Sequence, residues 1–286
     1  MPSWPGVTLP DHRPLLVATD LDGTLLRSDG TVSPRSRAAL AATAGAGIET
    51  VIVTARPPRW IDALADIVSE HGTVLCGNGA FVYDVPTRTV LSDNGFTRAE
   101  LLGLVAGLRT WLPGAGFAVE RRTGMTVERG YRSPHGEELP AEIQVDSLDE
   151  LDETLVGKLL VTCPSMGDEE FLARVSEVVG ARGVVAYSGV GGLAEVSAPG
   201  VTKAAALQRW CDRLRIAAAE VWTFGDMPND LPMLTWAGTS FAVANGHPDV
   251  LSRTTYTCPA NDEDGVAQVL EAALRLPPRE TATSSA

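Results

Sequence analysis

Three short apolar stretches, each followed at once by a polar or small residue, constrain the fold of this chain most. They occupy residues 15–19, 50–53 and 221–224, and they precede Asp20, Thr54 and Gly225. Continuous apolar character is typical of strands that are buried on both faces of a parallel sheet. Helical patterns follow at 34–45, 59–71, 203–214 and 228–237. This alternation predicts a doubly wound α/β domain, and such domains bind ligands beyond the carboxyl ends of their strands.

A second domain is predicted inside the first one. A fourth apolar stretch, 73–76, ends before Asn78, and the next core-like pattern begins only at about Thr202. One crossover helix needs far fewer residues than this gap provides. Within the gap we predict helices at 98–111 and 169–179 and strands at 117–121, 125–128, 158–163 and 184–187. We therefore expect a Rossmann-like parallel-sheet core at 1–84 and 190–286, with an inserted α+β cap domain at 85–189.

Composition restricts the partners and the compartment. The chain has 286 residues, with 23 basic and 36 acidic side chains and a formal net charge of −13. Because binding to nucleic acid needs a basic surface, we expect no nucleic-acid partner. No apolar stretch is long enough for a membrane span, and residues 1–5 lack signal-peptide features, so we expect a cytoplasmic protein without a membrane partner. The four cysteines are isolated and are predicted to be packing residues. The sequence indicates no oligomeric state.

Two acidic segments carry the clearest chemical signals. Asp20 and Asp22 follow the first strand directly, and an Asp-Gly turn is the structural alternative for this segment. The segment 225–230 places Asp226, Asn229 and Asp230 after another strand, where a helix cap is the structural alternative. Carboxylate and amide oxygens are suitable ligands for Mg²⁺. Carboxylates at the ends of these two strands therefore predict a magnesium site.

A lysine and a hydroxyl complete the pattern. Only Lys158 and Lys203 of the 23 basic residues are lysines. Lys203 begins a predicted helix, where its charge opposes the helix dipole, so an anionic neighbour explains it better than helix stability does. Thr54 ends a strand and could bind a phosphoryl oxygen or cap the strand. A carboxylate nucleophile, a second carboxylate, Mg²⁺, a lysine and a hydroxyl together predict phosphoryl transfer.

In this order along the chain, the four segments resemble the four motifs of the haloacid dehalogenase superfamily of phosphohydrolases. The arrangement is similar to the Cof-type branch, in which a large cap follows the third core strand. Further matches are Asn78-Gly79-Ala80, Glu195-Val196 and Asp264-Gly265-Val266-Ala267. The resemblance extends from about residue 15 to residue 270.

The resemblance implies a role for each motif residue. Asp20 would attack phosphorus and form an aspartyl-phosphate, and Asp22 would act as acid and then as base. The carboxylates of Asp20 and Asp226 and the backbone carbonyl of Asp22 would hold Mg²⁺, with Asp230 nearby. Thr54 and Lys203 would bind the phosphoryl oxygens, and Asn229 would orient the site. Arg56 and Asn78 are candidate substrate contacts because both lie at the ends of core strands.

These roles predict a Mg²⁺-dependent phosphatase that acts on a small phosphorylated metabolite, with a sugar phosphate favoured. The cap would select the substrate, and its arginines are candidates either for substrate recognition or for a solvated face: Arg121, Arg122, Arg129 and Arg132. One alternative is a phosphomutase that uses the same aspartyl-phosphate. Another is a non-catalytic ligand sensor, against which the intact pair of Asp20 and Asp22 argues.

Overall fold

The computed structural model describes residues 9–62, 72–134, 136, 138–187 and 190–278. The strands are β1 Leu16–Thr19, β2 Glu49–Val53, β3 Thr73–Cys76, β4 Phe81–Asp84, β5 Thr89–Asp93, β6 Gly116–Arg121, β7 Gly124–Glu128, β8 Gln144–Val145, β9 Val156–Thr162, β10 Val184–Ala186, β11 Leu193–Ser197, β12 Val221–Gly225, β13 Thr239–Val243 and β14 Tyr256–Cys258. The helices are α1 Pro34–Gly45, α2 Arg98–Trp111, α3 Asp168–Val179, α4 Lys203–Leu214, α5 Leu231–Trp236, α6 Pro248–Leu251 and α7 Gly265–Ala273.

The chain divides into two compact units. Among the described residues, the first unit holds 9–53, 72 and 207–278, and the second holds 54–62 and 73–206. The functional division into a core at 1–84 and 190–286 and a cap at 85–189 stays a prediction.

A parallel sheet forms the centre of the first unit. Its strands lie in the order β14-β13-β12-β1-β2, and every neighbouring pair is parallel. All residues of β1, β12 and β13 are buried, which agrees with the continuous apolar stretches of the sequence. Helices α1 and α7 pack against each other, and Ser33 caps α1 by accepting a hydrogen bond from the backbone N–H of Ser36. The predicted α/β fold with a parallel sheet is confirmed.

The second unit contains two groups of strands. Strands β3, β4 and β5 form an antiparallel meander. The other strands form a sheet in the order β10-β11-β9-β6-β7-β8, in which only the β7–β8 pair is parallel. We call this second group the mixed sheet. Helices α2 and α3 pack on each other, and a capping box of Thr97 and Glu100 begins α2.

Some elements differ from the sequence prediction. The helix predicted at 228–237 begins with a 3-10 turn, Pro228–Asp230, and only then becomes α5. The helix predicted at 59–71 overlaps a 3-10 turn at Pro58–Trp60, and its part from residue 63 onward lies outside the described residues. The four cysteines are buried, as predicted for packing residues, and burial raises the pKa of the Cys211 and Cys258 thiols to about 12. In the described part of the chain, no helix has the length and hydrophobicity required to cross a membrane.

Candidate active site

The loop after β1 carries the first acidic pair. The backbone N–H of Asp20 donates to the carbonyl of Phe224 in β12, which fixes the start of the loop at the end of two neighbouring strands. Gly23 has φ +73°, and a Cβ atom there would lie 2.4 Å from Oδ2 of Asp226. Glycine is therefore required both for the backbone conformation and for the close approach of the two acidic loops. Asp20 is buried, whereas Asp22 is exposed.

The loop after β12 is shaped by one of its own carboxylates. Oδ2 of Asp230 accepts hydrogen bonds of 3.0 Å from the backbone N–H groups of Asp226 and Met227. These bonds fold the loop back on itself and turn the Asp226 side chain toward the first loop. There, Oδ1 of Asp226 accepts a 3.0 Å hydrogen bond from the Thr24 hydroxyl. Asp230 thus has a structural function that its position in the acidic segment did not reveal.

Three buried carboxylates meet where these loops end. Asp20, Asp226 and Asp230 each offer one oxygen, and these oxygens lie within 4.8 Å of one another. Carboxylate oxygens are the hard ligands that Mg²⁺ prefers, and three of them converge here from two loops. The donor set therefore fits Mg²⁺. The carboxylate of Asp22 is not in this group, and the resemblance assigns only its backbone carbonyl to the metal.

The segment after β2 lies in the second unit and carries Thr54. The Thr54 hydroxyl accepts a 3.0 Å hydrogen bond from the backbone N–H of Arg56, which closes a tight turn. The N–H of Thr54 donates to Leu75 in β3, and its carbonyl accepts from the N–H of Asn78. Thr54 is fully buried, and Arg56 is partly exposed next to it. The structure therefore brings Thr54, Arg56 and Asn78 together.

The turn after β3 approaches the start of α4. Asn78 is buried and adopts the left-handed conformation, with φ +57°. A Cβ atom at Gly79 would lie 2.5 Å from the carbonyl oxygen of Thr202. Only glycine permits this contact, which places the first turn of α4, and with it the buried Lys203, beside the Asn78 turn.

The predicted site residues thus form two sets, one in each unit. The first set contains Asp20, Asp22, Asp226, Asn229 and Asp230, and the second contains Thr54, Arg56, Asn78 and Lys203. Two polar residues that the sequence analysis did not assign to the site contact the loops that carry these sets. Asn245 donates to the carbonyl of Gly23 at 2.8 Å, and Lys158 donates to the carbonyl of Ala55 at 2.7 Å. The scarcity of lysine in the chain was a signal for Lys158, whereas Asn245 had none.

Three of the arginines considered for substrate recognition form ion pairs. Arg121 pairs with Asp152, Arg122 with Asp93, and Arg129 with Asp146. A role of these arginines in substrate recognition stays a prediction.

Comparison with known proteins decides the family. Residues 17–270 match the family of haloacid dehalogenase-like hydrolases. The chain belongs to this family. The match covers both acidic loops, Thr54 and Lys203, and it extends over both units. The predicted family, with its Cof-type branch, and the predicted enzyme class, a phosphoric monoester hydrolase, are confirmed.

Relatives of this haloacid dehalogenase-like hydrolase extend over nearly its whole length. The pyridoxal phosphate phosphatase YbhA of Escherichia coli is 27% identical, with 89% of this chain and 97% of the relative covered. The 5-amino-6-(5-phospho-D-ribitylamino)uracil phosphatase YitU of Bacillus subtilis is 26% identical, with 91% and 98% covered. The solved structure of BT1666 from Bacteroides thetaiotaomicron, a HAD superfamily phosphatase, has the same fold. Its TM-score is 0.79 at 23% identity, with 95% of this chain and 99% of BT1666 covered.

Proposed function

We propose that this protein is a Mg²⁺-dependent phosphatase that hydrolyses a small phosphorylated metabolite through an aspartyl-phosphate on Asp20. The observation that carries the proposal is the group of three buried carboxylates, from Asp20, Asp226 and Asp230, at the ends of β1 and β12. Like charges this close repel one another, and a bound cation would offset the repulsion. Membership of the haloacid dehalogenase-like hydrolases supports the same reaction.

The carboxylates divide the chemical work. A carboxylate oxygen of Asp20 attacks phosphorus, and the bond from phosphorus to the ester oxygen breaks. Asp22 donates its proton to the leaving oxygen and then removes a proton from water. That water attacks the aspartyl-phosphate, which releases inorganic phosphate and restores the Asp20 carboxylate. The exposure of Asp22 and the burial of Asp20 support this division, because the acid must reach the leaving group and the solvent.

The motif residues would also hold the metal ion and the substrate. Asp20, Asp226 and Asp230 would hold Mg²⁺, with the Asp22 carbonyl as a further ligand. When bound, Mg²⁺ supplies positive charge that offsets the repulsion between an anionic nucleophile and an anionic ester. Thr54 and Lys203 would bind phosphoryl oxygens, and Arg56, Asn78 and Asn229 would contact the substrate. The burial of Lys203 in the first turn of α4, where its charge opposes the helix dipole, supports an anionic ligand.

A sugar phosphate is the proposed substrate class. YbhA and YitU are named for phosphate esters of small molecules, one of which carries a phosphorylated ribityl group. The net charge of −13 disfavours binding of polyanions. A single phosphate is compatible with it, because one lysine and one metal ion are enough to bind it.

The test measures phosphate release from p-nitrophenyl phosphate and from a panel of sugar phosphates, with Mg²⁺ or with EDTA. Wild type is compared with Asp20→Asn and with Asp29→Asn, because Asp29 is an exposed carboxylate close by in the sequence. We expect release only with Mg²⁺, a loss of roughly 10³-fold or more in kcat for Asp20→Asn, and wild-type rates for Asp29→Asn. Release that persists in EDTA or in Asp20→Asn would contradict the proposal. Transfer of phosphate between positions without release would identify a mutase.

A further inference from the structure

Lys158 is a buried cation that the proposed reaction does not use. Its side chain is 2% exposed, and its Nζ donates to the carbonyl oxygen of Ala55 at 2.7 Å and to Oε1 of Glu195 at 2.8 Å. An ammonium group is buried at a high cost in free energy unless charged and polar partners surround it. Because only two of the 23 basic residues are lysines, a lysine at such a site indicates a need for a compact cation at this point.

Lys158 belongs to a row of charges on one face of the mixed sheet. Glu120 of β6 lies directly opposite Lys158 of β9. Glu195 of β11 lies opposite Leu160, which points to the same face as Lys158 because side chains alternate along a strand. The row therefore reads Glu120, Lys158, Glu195, with alternating sign. All three residues are buried.

This row holds the segment that carries Thr54 and Arg56. Near the start of the segment, Lys158 binds the carbonyl of Ala55. Near its end, Oε1 of Glu120 accepts a 2.9 Å hydrogen bond from Arg59. Prolines occupy positions 57 and 58 between these anchors and remove two backbone donors. The two prolines have no backbone N–H groups with which to hold the segment in place. Side chains of the mixed sheet hold it instead.

The third charge reaches the neighbouring turn. Oε2 of Glu195 accepts a 3.2 Å hydrogen bond from Nδ2 of Asn78. The backbone N–H of Asn78 in turn donates to the carbonyl of Thr54. Through these contacts, the Lys158–Glu195 pair holds the two backbone segments around Thr54. Lys158 holds the segment at Ala55, and Glu195 holds the turn at Asn78.

We propose that Lys158, together with Glu195, is a positioning residue for phosphate binding. The pair holds the Ala55 carbonyl and the Asn78 amide so that Thr54 is fixed for contact with the phosphoryl group and Arg56 for contact with the substrate. This proposal rests on the proposed function of Thr54 and Arg56. In this proposal, the mixed sheet positions the segment that carries Thr54 through the side chains of Lys158 and Glu195. No contact between the sheet and the substrate is needed for this role.

The experiment uses a double variant, Lys158→Met with Glu195→Gln. The single change Lys158→Met would leave the Glu195 carboxylate buried without its cation and could prevent folding. The double variant leaves no buried charge from the pair, and the amide introduced by Glu195→Gln keeps an oxygen for Asn78. Besides the ion pair itself, the contact that is lost is the hydrogen bond to the Ala55 carbonyl. The control is Arg174→Met with Glu170→Gln, which removes an exposed ion pair on α3.

Two readouts test the link and its role separately. Hydrogen exchange measures the amides of Thr54 and Arg56, which are hydrogen-bonded in the wild type. Hydrolysis of p-nitrophenyl phosphate gives kcat and KM, and inorganic phosphate as inhibitor gives a binding constant. For the double variant we expect at least tenfold faster exchange at these amides and at least tenfold higher KM and inhibition constant, with a smaller change in kcat. The control should match the wild type in every readout.

The outcomes are distinguishable from those of the proposed function. Wild-type exchange rates in the folded double variant would overturn the proposal whatever the catalytic result. Faster exchange with an unchanged KM and inhibition constant would overturn the role in phosphate binding. Absence of phosphate release by the wild-type enzyme would refute the proposed function instead, and binding of inorganic phosphate to both proteins, measured by calorimetry, would then decide the positioning role.

Discussion

Gly23 is the residue at which the two acidic loops come closest. Its φ of +73° is unfavourable for other residues, and a Cβ atom would lie 2.4 Å from Oδ2 of Asp226. We predict that Gly23→Ala displaces the Asp226 carboxylate and raises the Mg²⁺ concentration needed for half-maximal activity by at least tenfold. The measurement is a Mg²⁺ titration of phosphate release.

Gly30 provides the matched control for this substitution. It has φ +80°, and apart from its two chain neighbours no described residue has an atom within 4 Å of the position of a Cβ atom. Gly30→Ala therefore carries the same type of backbone strain, about 1 kcal/mol of unfolding free energy, without the contact to Asp226. Equal Mg²⁺ requirements in the two variants would show that the approach of Gly23 to Asp226 does not matter for the metal.

Single residues also show the limit of sequence reasoning. The acidic residues Asp20, Asp226 and Asp230 were predictable because the segments that carry them follow recognisable strands. The pair of Lys158 and Glu195 was not, since 37 positions separate the two residues and only the register of β9 and β11 joins them. The two hydrogen bonds that Asp230 accepts from its own loop depend on backbone angles that no motif specifies.

Among the elements, the turn between β13 and α6 contacts both acidic loops. Nδ2 of Asn245 donates to the carbonyl of Gly23 at 2.8 Å, and the N–H of His247 donates to the carbonyl of Asp226 at 2.7 Å. We predict that Asn245→Ala raises the Mg²⁺ concentration for half-maximal activity roughly fivefold, because one hydrogen bond contributes about 1 kcal/mol. A Mg²⁺ titration of activity measures the effect.

Ser28→Ala is the control at the same scale. Ser28 follows the same loop, and its hydroxyl donates a 2.7 Å hydrogen bond to Oδ2 of Asp262 at the surface. Ser28→Ala removes this bond without changing a contact of Gly23. We expect an unchanged Mg²⁺ requirement. If Ser28→Ala and Asn245→Ala gave the same shift, the turn would act through general loop stability rather than through Gly23.

The elements differ in how well the sequence predicts them. Helices α1, α2 and α4 have the predicted bounds. Side-chain caps mark the start of α1 at Ser33 and the start of α2 at Thr97. Strand β11 was missed because Glu195 interrupts its apolar character, although all five residues are buried. Strand β13 begins with Thr239 and Ser240, which shortens its apolar stretch in the same way. A buried polar residue breaks the apolar pattern by which a strand is recognised, and its distant partner is not visible in the sequence.

For the whole molecule, the acidic group couples metal binding to folding. Asp20 and Asp226 are separated by about 200 positions of sequence, so their carboxylates meet only in the folded chain. A ligand that binds the folded state alone stabilises it, by about 2.7 kcal/mol at a hundredfold excess over its Kd. Bringing like charges together also opposes folding as long as no cation is bound.

We predict that Mg²⁺ raises the unfolding temperature of the wild type by about 5–10 °C, as expected for this gain in a chain of this size. Asp226→Asn keeps Oδ1 for the Thr24 hydroxyl but removes a charge from the group. This variant should lose the Mg²⁺-dependent shift and unfold in EDTA at no lower temperature than the wild type, because one repulsion is relieved. Calorimetric scans in Mg²⁺ and in EDTA, with KCl at matched ionic strength as control, measure both effects. An equal Mg²⁺ shift in the two proteins would place the ion elsewhere, and a lower unfolding temperature of Asp226→Asn in EDTA would show that the carboxylate stabilises the loops more than it repels its neighbours.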